Sequence, residues 1–292
     1  MNAVNRIFCA FPVFAPTEKM YLKNMESIIS FVNYVKNNSH YLDGSKGHIL
    51  DVYYGGWSVS DKYWDNISFF IKANIPSAKV FRFEKNYGKA KVVNDLVSDY
   101  VIDKPDTQFM FTMDSDIQFT LDQKHFFDRL ILAAQVLQDV SKKPFGMISL
   151  DQKGECCHWY EPRTGYTGMN QKINYKLNGI GEEIQEEMVW PSDGCGIAGG
   201  ALFVNLIIWK LIGGYRSFNT EYAGDDGFYL RDVQQAGNAV SILKTLSIIH
   251  PIPEDDPQYR KWKDDCMKVA FEPFDQNKYN NNINTDKKWI NK

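Results

Sequence analysis

The chain lacks an excess of positive charge. Its 33 Lys and Arg stand against 36 Asp and Glu, for a formal net charge of −3 and a pI of about 6.0. Proteins built to neutralise a phosphate backbone are normally basic, so the global balance does not favour a dedicated nucleic-acid binder, although it is compatible with a local basic groove. No run approaches the ~18 apolar residues of a membrane span. The N-terminal MNAVNRIFCAFPVF has no basic region leading into a long apolar stretch with a cleavage site, so no signal peptide is expected. Cysteine is scarce and odd in number: Cys9, Cys156, Cys157, Cys195 and Cys266. They follow no disulfide framework, and Cys156-Cys157 has no Cys-x-x-Cys partner for a metal or redox site. They read as reduced thiols of a cytoplasmic protein. Internal repeats are missing as well.

What remains is an ordinary composition with a strong rhythm. Of the 292 residues, 44% are hydrophobic and 24% charged, enough for one large α/β domain. The 14% aromatic content suits stacking on sugars or bases, and a core equally well. Apolar strands are expected at 6–13, 48–54, 79–83, 108–113 and 145–150. Amphipathic helices are expected at 18–36, 61–73, 89–101 and 121–140. Such alternation implies right-handed crossovers and a mostly parallel central sheet flanked by helices, with ligands beyond the carboxyl ends of the strands. From 151 to about 191 the rhythm breaks into an irregular insertion rich in Gly, aromatic and charged residues, the usual form of a functional loop. Regularity returns with the apolar run through Gly199 and Gly200, a helix over 225–237 and a strand over 240–249 ending at His250. The Asn- and Lys-rich tail from Pro273 reads as flexible.

Asp114-Ser115-Asp116 closes the fourth strand. Two carboxylates one residue apart at a strand end project toward a common point, and a hard divalent cation takes such oxygens while bridging phosphates. The same spacing also serves ordinary turns and helix caps. Upstream, Gly88 permits a tight turn, and Lys89 starts a helix whose N-terminus can face an anion. Downstream, Asp225-Asp226 opens another helix. There a carboxylate either complements the helix dipole or takes a proton from a hydroxyl.

In order and spacing these segments resemble family 2 glycosyltransferases of the GT-A fold. The resemblance runs through Pro12, Asn86-Tyr87-Gly88-Lys89, Asp114-Ser115-Asp116, Gly199-Gly200, Gly213-Gly214-Tyr215 and Asp225-Asp226, and covers residues 6–250. It implies a GT-A (Rossmann-like) domain over 1–272, with a nucleotide-sugar half to about residue 120 and an acceptor half beyond it. It also implies a metal-dependent transfer from a nucleotide sugar, a UDP-sugar first, to an acceptor hydroxyl with inversion. Asp116 resembles the direct metal ligand. Asp114 resembles the residue that contacts ribose or supports the metal, and His250 the histidine completing the site for Mn²⁺ or Mg²⁺. One of Asp225 and Asp226 resembles the catalytic base, with Asp226 preferred by register. Pro12, Phe14, Lys89, Asn94, Gly199 and Gly200 fall where the donor binds. The family's second strand commonly ends in Asp-Asp-Gly-Ser. Here Tyr53-Tyr54-Gly55-Gly56 stands instead, which makes Tyr54 the candidate for the base. Trp159, Tyr160 and Trp190 are candidate acceptor-side stacking surfaces in the insertion, and each is equally suited to packing.

Two other readings remain. A sugar-1-phosphate nucleotidyltransferase shares the core and the metal, but calls for a Gly-rich basic loop after the first strand, and FPVFAPTEK has none. A non-catalytic nucleotide-sugar-binding protein on the same scaffold is the other. The acceptor classes are a polysaccharide, a protein, a small metabolite or a hydroxymethylated DNA base. The Asn-, Lys- and Tyr-rich flavour is similar to that of phage-encoded enzymes acting on such DNA. Lys278, Tyr279, Lys287, Lys288 and Trp289 would be the tail residues in reach of it.

Overall fold

Period-two alternation along the first strand sets the layers. Ile7, Cys9, Phe11 and Val13 face one core, and Phe8 and Ala10 face another on the opposite side of the sheet. A strand apolar on both faces must be covered on both. The computed structural model describes residues 5–84, 87–153, 170–176, 183–189, 199–251, 257–270 and 272–277, with backbone alone for 170–176, 183 and 258–260.

The strands are β1 (Asn5–Phe14), β2 (His48–Trp57), β3 (Lys79–Phe83), β4 (Phe109–Met113), β5 (Phe145–Lys153), β6 (Asn170–Lys176), β7 (Glu183–Val189), β8 (Ala201–Asn205) and β9 (Ala239–Ile249). They form one sheet in the order β3-β2-β1-β4-β8-β5-β9-β7-β6. Helices α1 (Glu18–Asn37), α3 (Asp61–Asn74) and α5 (Phe126–Ser141) cover one face; α4 (Gly88–Asp103), α6 (Leu206–Ile212) and α7 (Asp225–Gln235) cover the other. The short α2 (His40–Asp43) leads into β2, and α8 (Pro257–Ala270) follows β9. Among the described residues, no helix is long and apolar enough to cross a membrane.

The expected parallel sheet is present from β3 through β2 and β1 to β4. Beyond β4 the sheet becomes mixed. Strand β8 runs antiparallel to both β4 and β5, while β9 is parallel to β5. The helix expected from residue 121 begins only at Phe126, because His125 takes a left-handed backbone (φ 56°) and breaks the run. The insertion read as irregular contains β6 and β7, an antiparallel pair that joins the sheet through Met188 and Val189 against β9. Their Lys- and Glu-rich sequences hide the strand period. The tail expected to flex from Pro273 is held at its start, where Asn219 donates to the Pro273 carbonyl (2.8 Å) and accepts from the Asp275 amide (2.6 Å). Residues 278–292 lie outside the described residues.

One buried ion pair fastens β7 to the domain. Arg129 of α5, 7% exposed, donates to both carboxylate oxygens of Glu186, 1% exposed. It also donates to the Thr245 carbonyl at 2.9 Å, and the Thr245 hydroxyl donates to Glu186. Removing one partner of such a pair leaves a charge buried without its counterion. Arg129→Ala is therefore expected to lower the unfolding free energy by about 3–5 kcal/mol in urea titration. A loss below about 1 kcal/mol would show that the pair does not hold β7 in place.

Candidate active site

The carboxyl ends of the parallel strands and the amino end of β8 meet at one place. The last ladder pairs of β4 and β8 are Thr112 with Leu202 and Met113 with Ala201. The Asp114 amide then donates to the Gly200 carbonyl at 2.7 Å. This sets the Gly-Gly segment beside the Asp-x-Asp segment. A Cβ on Gly200 would crowd Gln152 Oε1 at 2.7 Å, and one on Gly199 would overlap the Asp226 carboxylate. Both glycines thus let backbone and functional side chains approach closely.

His250 follows β9, its amide bonded to the Lys153 carbonyl at 2.8 Å. Its Nε2 lies 3.6 Å from Asp116 Oδ1, and its Nδ1 faces Gln152 Oε1 at 3.0 Å. A side-chain carbonyl at Nδ1 favours the tautomer with the proton there, turning the Nε2 lone pair toward the aspartates. One ligand atom each from Asp114, Asp116 and His250 can be chosen so that all lie within 4.8 Å of one another. Two carboxylates and an imidazole form a donor set that suits Mn²⁺ or Mg²⁺. Burial alone would raise the Asp116 pKa, but the hydrogen bond and charge of His250 outweigh it and hold Asp116 below its usual value. Burial likewise works against the charged imidazole, and Asp116 reverses the outcome, raising His250.

Lys89 sits at the start of α4, where Gly88 takes a left-handed backbone (φ 74°) and its missing Cβ clears the Glu221 carbonyl. Its Nζ lies 2.7 Å from Asp114 Oδ1 and 2.9 Å from Asp226 Oδ1. Burial disfavours the ammonium, yet Asp114 and Asp226 more than offset it, and the Lys89 pKa stands well above its usual value. Asp114 is raised by burial first and by Asp226 and Asp116 next, with Lys89 opposing. Asp225 is 6% exposed, and burial raises its pKa well above the carboxylate range. Asp226 is more open, with 24% of its side chain exposed, and Tyr215 donates to its Oδ1 at 3.0 Å.

The remaining sequence candidates divide. Phe14 is half-buried at the end of β1, tilted against Trp57 (5.4 Å between centroids) and stacked on Trp262 of α8 (6.3 Å). Pro12 is buried within β1 opposite Gly55. Tyr54 does not line the cleft. Side chains alternate along β2, so its ring points into the α1 and α3 layer against Phe11 and is 1% exposed. Trp57, on the other face, ends the strand beside Phe14 instead. Asn94 is also placed differently, as a clamp on a turn. Its Nδ2 donates to the Tyr215 carbonyl (2.8 Å) and its Oδ1 accepts from the Tyr215 amide (3.1 Å). Trp159, Tyr160 and Trp190, with Asn86, lie outside the described residues. Sequence reading missed Gln152 and the Tyr215 hydroxyl. For Tyr215 a signal existed, since it ends a Gly-Gly-aromatic segment; for Gln152 the only signal was its place just inside the end of β5.

No protein-family model and no curated protein matches this sequence. Among solved structures, the chain is similar to S. aureus TarS 1-349, with a TM-score of 0.51 and 13% identity over 86% of this chain and 61% of that one. It is also similar to GalNAc-T7 solved with UDP, GalNAc and Mn²⁺, with a TM-score of 0.53 and 10% identity over 87% of this chain and 45% of that one. In both cases it spans less than two thirds of the matched chain. At these identities the likeness is one of fold, and that fold is the GT-A glycosyltransferase fold.

Proposed function

We propose that this protein is a metal-dependent glycosyltransferase that moves a sugar from a nucleotide-sugar donor, a UDP-sugar first, to an acceptor hydroxyl with inversion. The observation that carries the reading is the convergence of Asp114, Asp116 and His250 within 4.8 Å, linked through Lys89 to Asp226. Asp114, Asp116 and His250 would hold Mn²⁺ or Mg²⁺, whose charge stabilises the departing diphosphate. Lys89 supplies a second positive charge at the same place, and Gln152 keeps the His250 ring oriented.

Asp226 takes the role of base. Its carboxylate accepts the proton of the acceptor hydroxyl, and the freed oxygen pair forms the bond to the anomeric carbon. The bond from that carbon to the diphosphate oxygen breaks on the opposite face, its electron pair leaving with the nucleoside diphosphate. Asp225 suits this role less well, since burial favours its protonated form and only 6% of it is exposed. Phe14, half-buried at the end of β1, offers an aromatic face for the nucleobase. The acceptor hydroxyl belongs to one of four classes: polysaccharide, protein, small metabolite or hydroxymethylated DNA base.

The metal assignment is tested by calorimetric Mn²⁺ titration and by release of nucleoside diphosphate. Asp116→Ala is expected to stay folded while losing both Mn²⁺ binding and turnover. Gln152→Leu removes the partner of His250 Nδ1 and is expected to weaken Mn²⁺ binding by about 10- to 100-fold. Wild-type turnover in Asp116→Ala, or in the presence of excess chelator, would refute the metal-dependent reading.

Asp226→Asn is expected to bind donor normally and to transfer about 100- to 10,000-fold more slowly. An active Asp226→Asn beside a dead Asp225→Asn would move the base by one residue. A mass-spectrometric screen of UDP-sugars against the four acceptor classes, including hydroxymethylcytosine DNA, should reveal an added hexose or pentose on one of them. Tight donor and metal binding with no product on any acceptor would mark a binding protein on this scaffold.

A further inference from the structure

Tyr215 takes no part in donor or metal binding as described above, yet it is among the most tightly fixed side chains near the site. Its ring is 2% exposed and packs edge-on against Trp209 (4.7 Å) and Tyr229 (5.6 Å). Its backbone is held on both sides by the Asn94 amide, at 2.8 and 3.1 Å. The turn before it needs two left-handed residues, Gly213 (φ 86°) and Gly214 (φ 73°). A Cβ on Gly214 would overlap Asn94 and crowd the Trp209 indole nitrogen at 2.6 Å. All of this fixes one polar atom, the phenol oxygen, 3.0 Å from Asp226 Oδ1. Burial, then Asp226, raise the phenol pKa well above its usual value, so the hydroxyl keeps its proton and donates.

We propose that Tyr215 is a positioning residue for the base: with Lys89 it holds Oδ1 of Asp226 and so fixes the orientation in which the carboxylate meets the acceptor hydroxyl. The role rests on the reading of Asp226 as base. Lys89 Nζ and the Tyr215 hydroxyl both bond to Oδ1, and the rest of the carboxyl group, Oδ2 included, packs against Gly199, where a Cβ would overlap it. The two donors differ in commitment. Lys89 also pairs with Asp114 on the proposed metal side, whereas the described hydrogen bond of the Tyr215 hydroxyl goes to Asp226 alone. Tyr215 therefore keeps the carboxylate oriented when the donor's phosphates draw on Lys89. A carboxylate free to rotate spends less time in line with the acceptor hydroxyl, and small misplacements of a reacting group are costly.

The test is Tyr215→Phe, which keeps the ring and its packing and removes one oxygen. Removing a hydrogen bond to a charged group predicts a kcat for transfer about 10- to 100-fold lower. Donor Kd by calorimetry should be unchanged, and Tm by circular dichroism should fall by no more than the loss of one hydrogen bond. A wild-type kcat in Tyr215→Phe would overturn the role. So would a fall in kcat accompanied by weaker donor binding, since that pattern belongs to a general loss of site structure. Wild-type protein that turns over no nucleotide sugar would instead overturn the reading of Asp226 on which this role depends.

Discussion

One ammonium group makes the site possible. Asp114, Asp116, Asp225 and Asp226 are brought to a single rim of the sheet, and carboxylates that close raise the cost of one another's ionisation. For Asp114 and Asp225, burial raises the pKa first and neighbouring carboxylates add to it, while Lys89 acts in the opposite direction on both. Its Nζ sits between Asp114 and Asp226, near hydrogen-bond distance of each. It reaches there only because α4 begins at Gly88, whose left-handed backbone and missing side chain let the helix start against the Glu221 carbonyl. The charge that orders the site thus depends on a glycine that has no charge to contribute.

Much of this was legible in the sequence, for physical reasons. Strand β1 is apolar on both faces, the pattern of a buried parallel strand, and β3 is found at the expected residues, with β1, β2 and β4 displaced by at most a few. Strand ends carry the site, so Asp114, Asp116 and His250 could be grouped from their positions at the ends of β4 and β9 although 134 residues separate Asp116 from His250. Lys89 and Asp226 were legible as first-turn residues of helices. Helix N-termini in this architecture point toward the same rim as the strand ends.

What was not legible depended on side-chain direction and on partners far along the chain. Tyr54 stands at a suitable strand end, but one step of alternation sends it into the core and leaves Trp57 beside Phe14. Asn94 lies one turn and a half into α4, near the donor end. Its neighbour is nevertheless a turn 121 residues later, and only the fold reveals that its amide spans the Tyr215 peptide. The β6 and β7 hairpin was obscured because charged residues fill the positions that would show a strand period. Glu186 is the clearest case. In sequence it belongs to an acidic, solvent-like patch, and in the structure it is 1% exposed, held by Arg129 and Thr245.

The reversal of β8 explains why so many of these pieces converge. A fully parallel strand beside β4 would bring its carboxyl end to the site and send the following helix away. Because β8 is antiparallel, its amino end lies there, and what it offers is backbone: the Gly200 carbonyl accepts from Asp114, and Gly199 leaves room for Asp226. The chain then runs away through β8, returns through the short α6, and turns at Gly213 and Gly214 to place Tyr215 beneath the carboxylate. Only then does it begin α7, with Asp225 and Asp226 in its first turn. One antiparallel strand in an otherwise parallel neighbourhood thus surrounds the proposed base with three consecutive parts of its own sequence. Lys89, from the parallel half, is the contact that ties that group to the metal-ligand side.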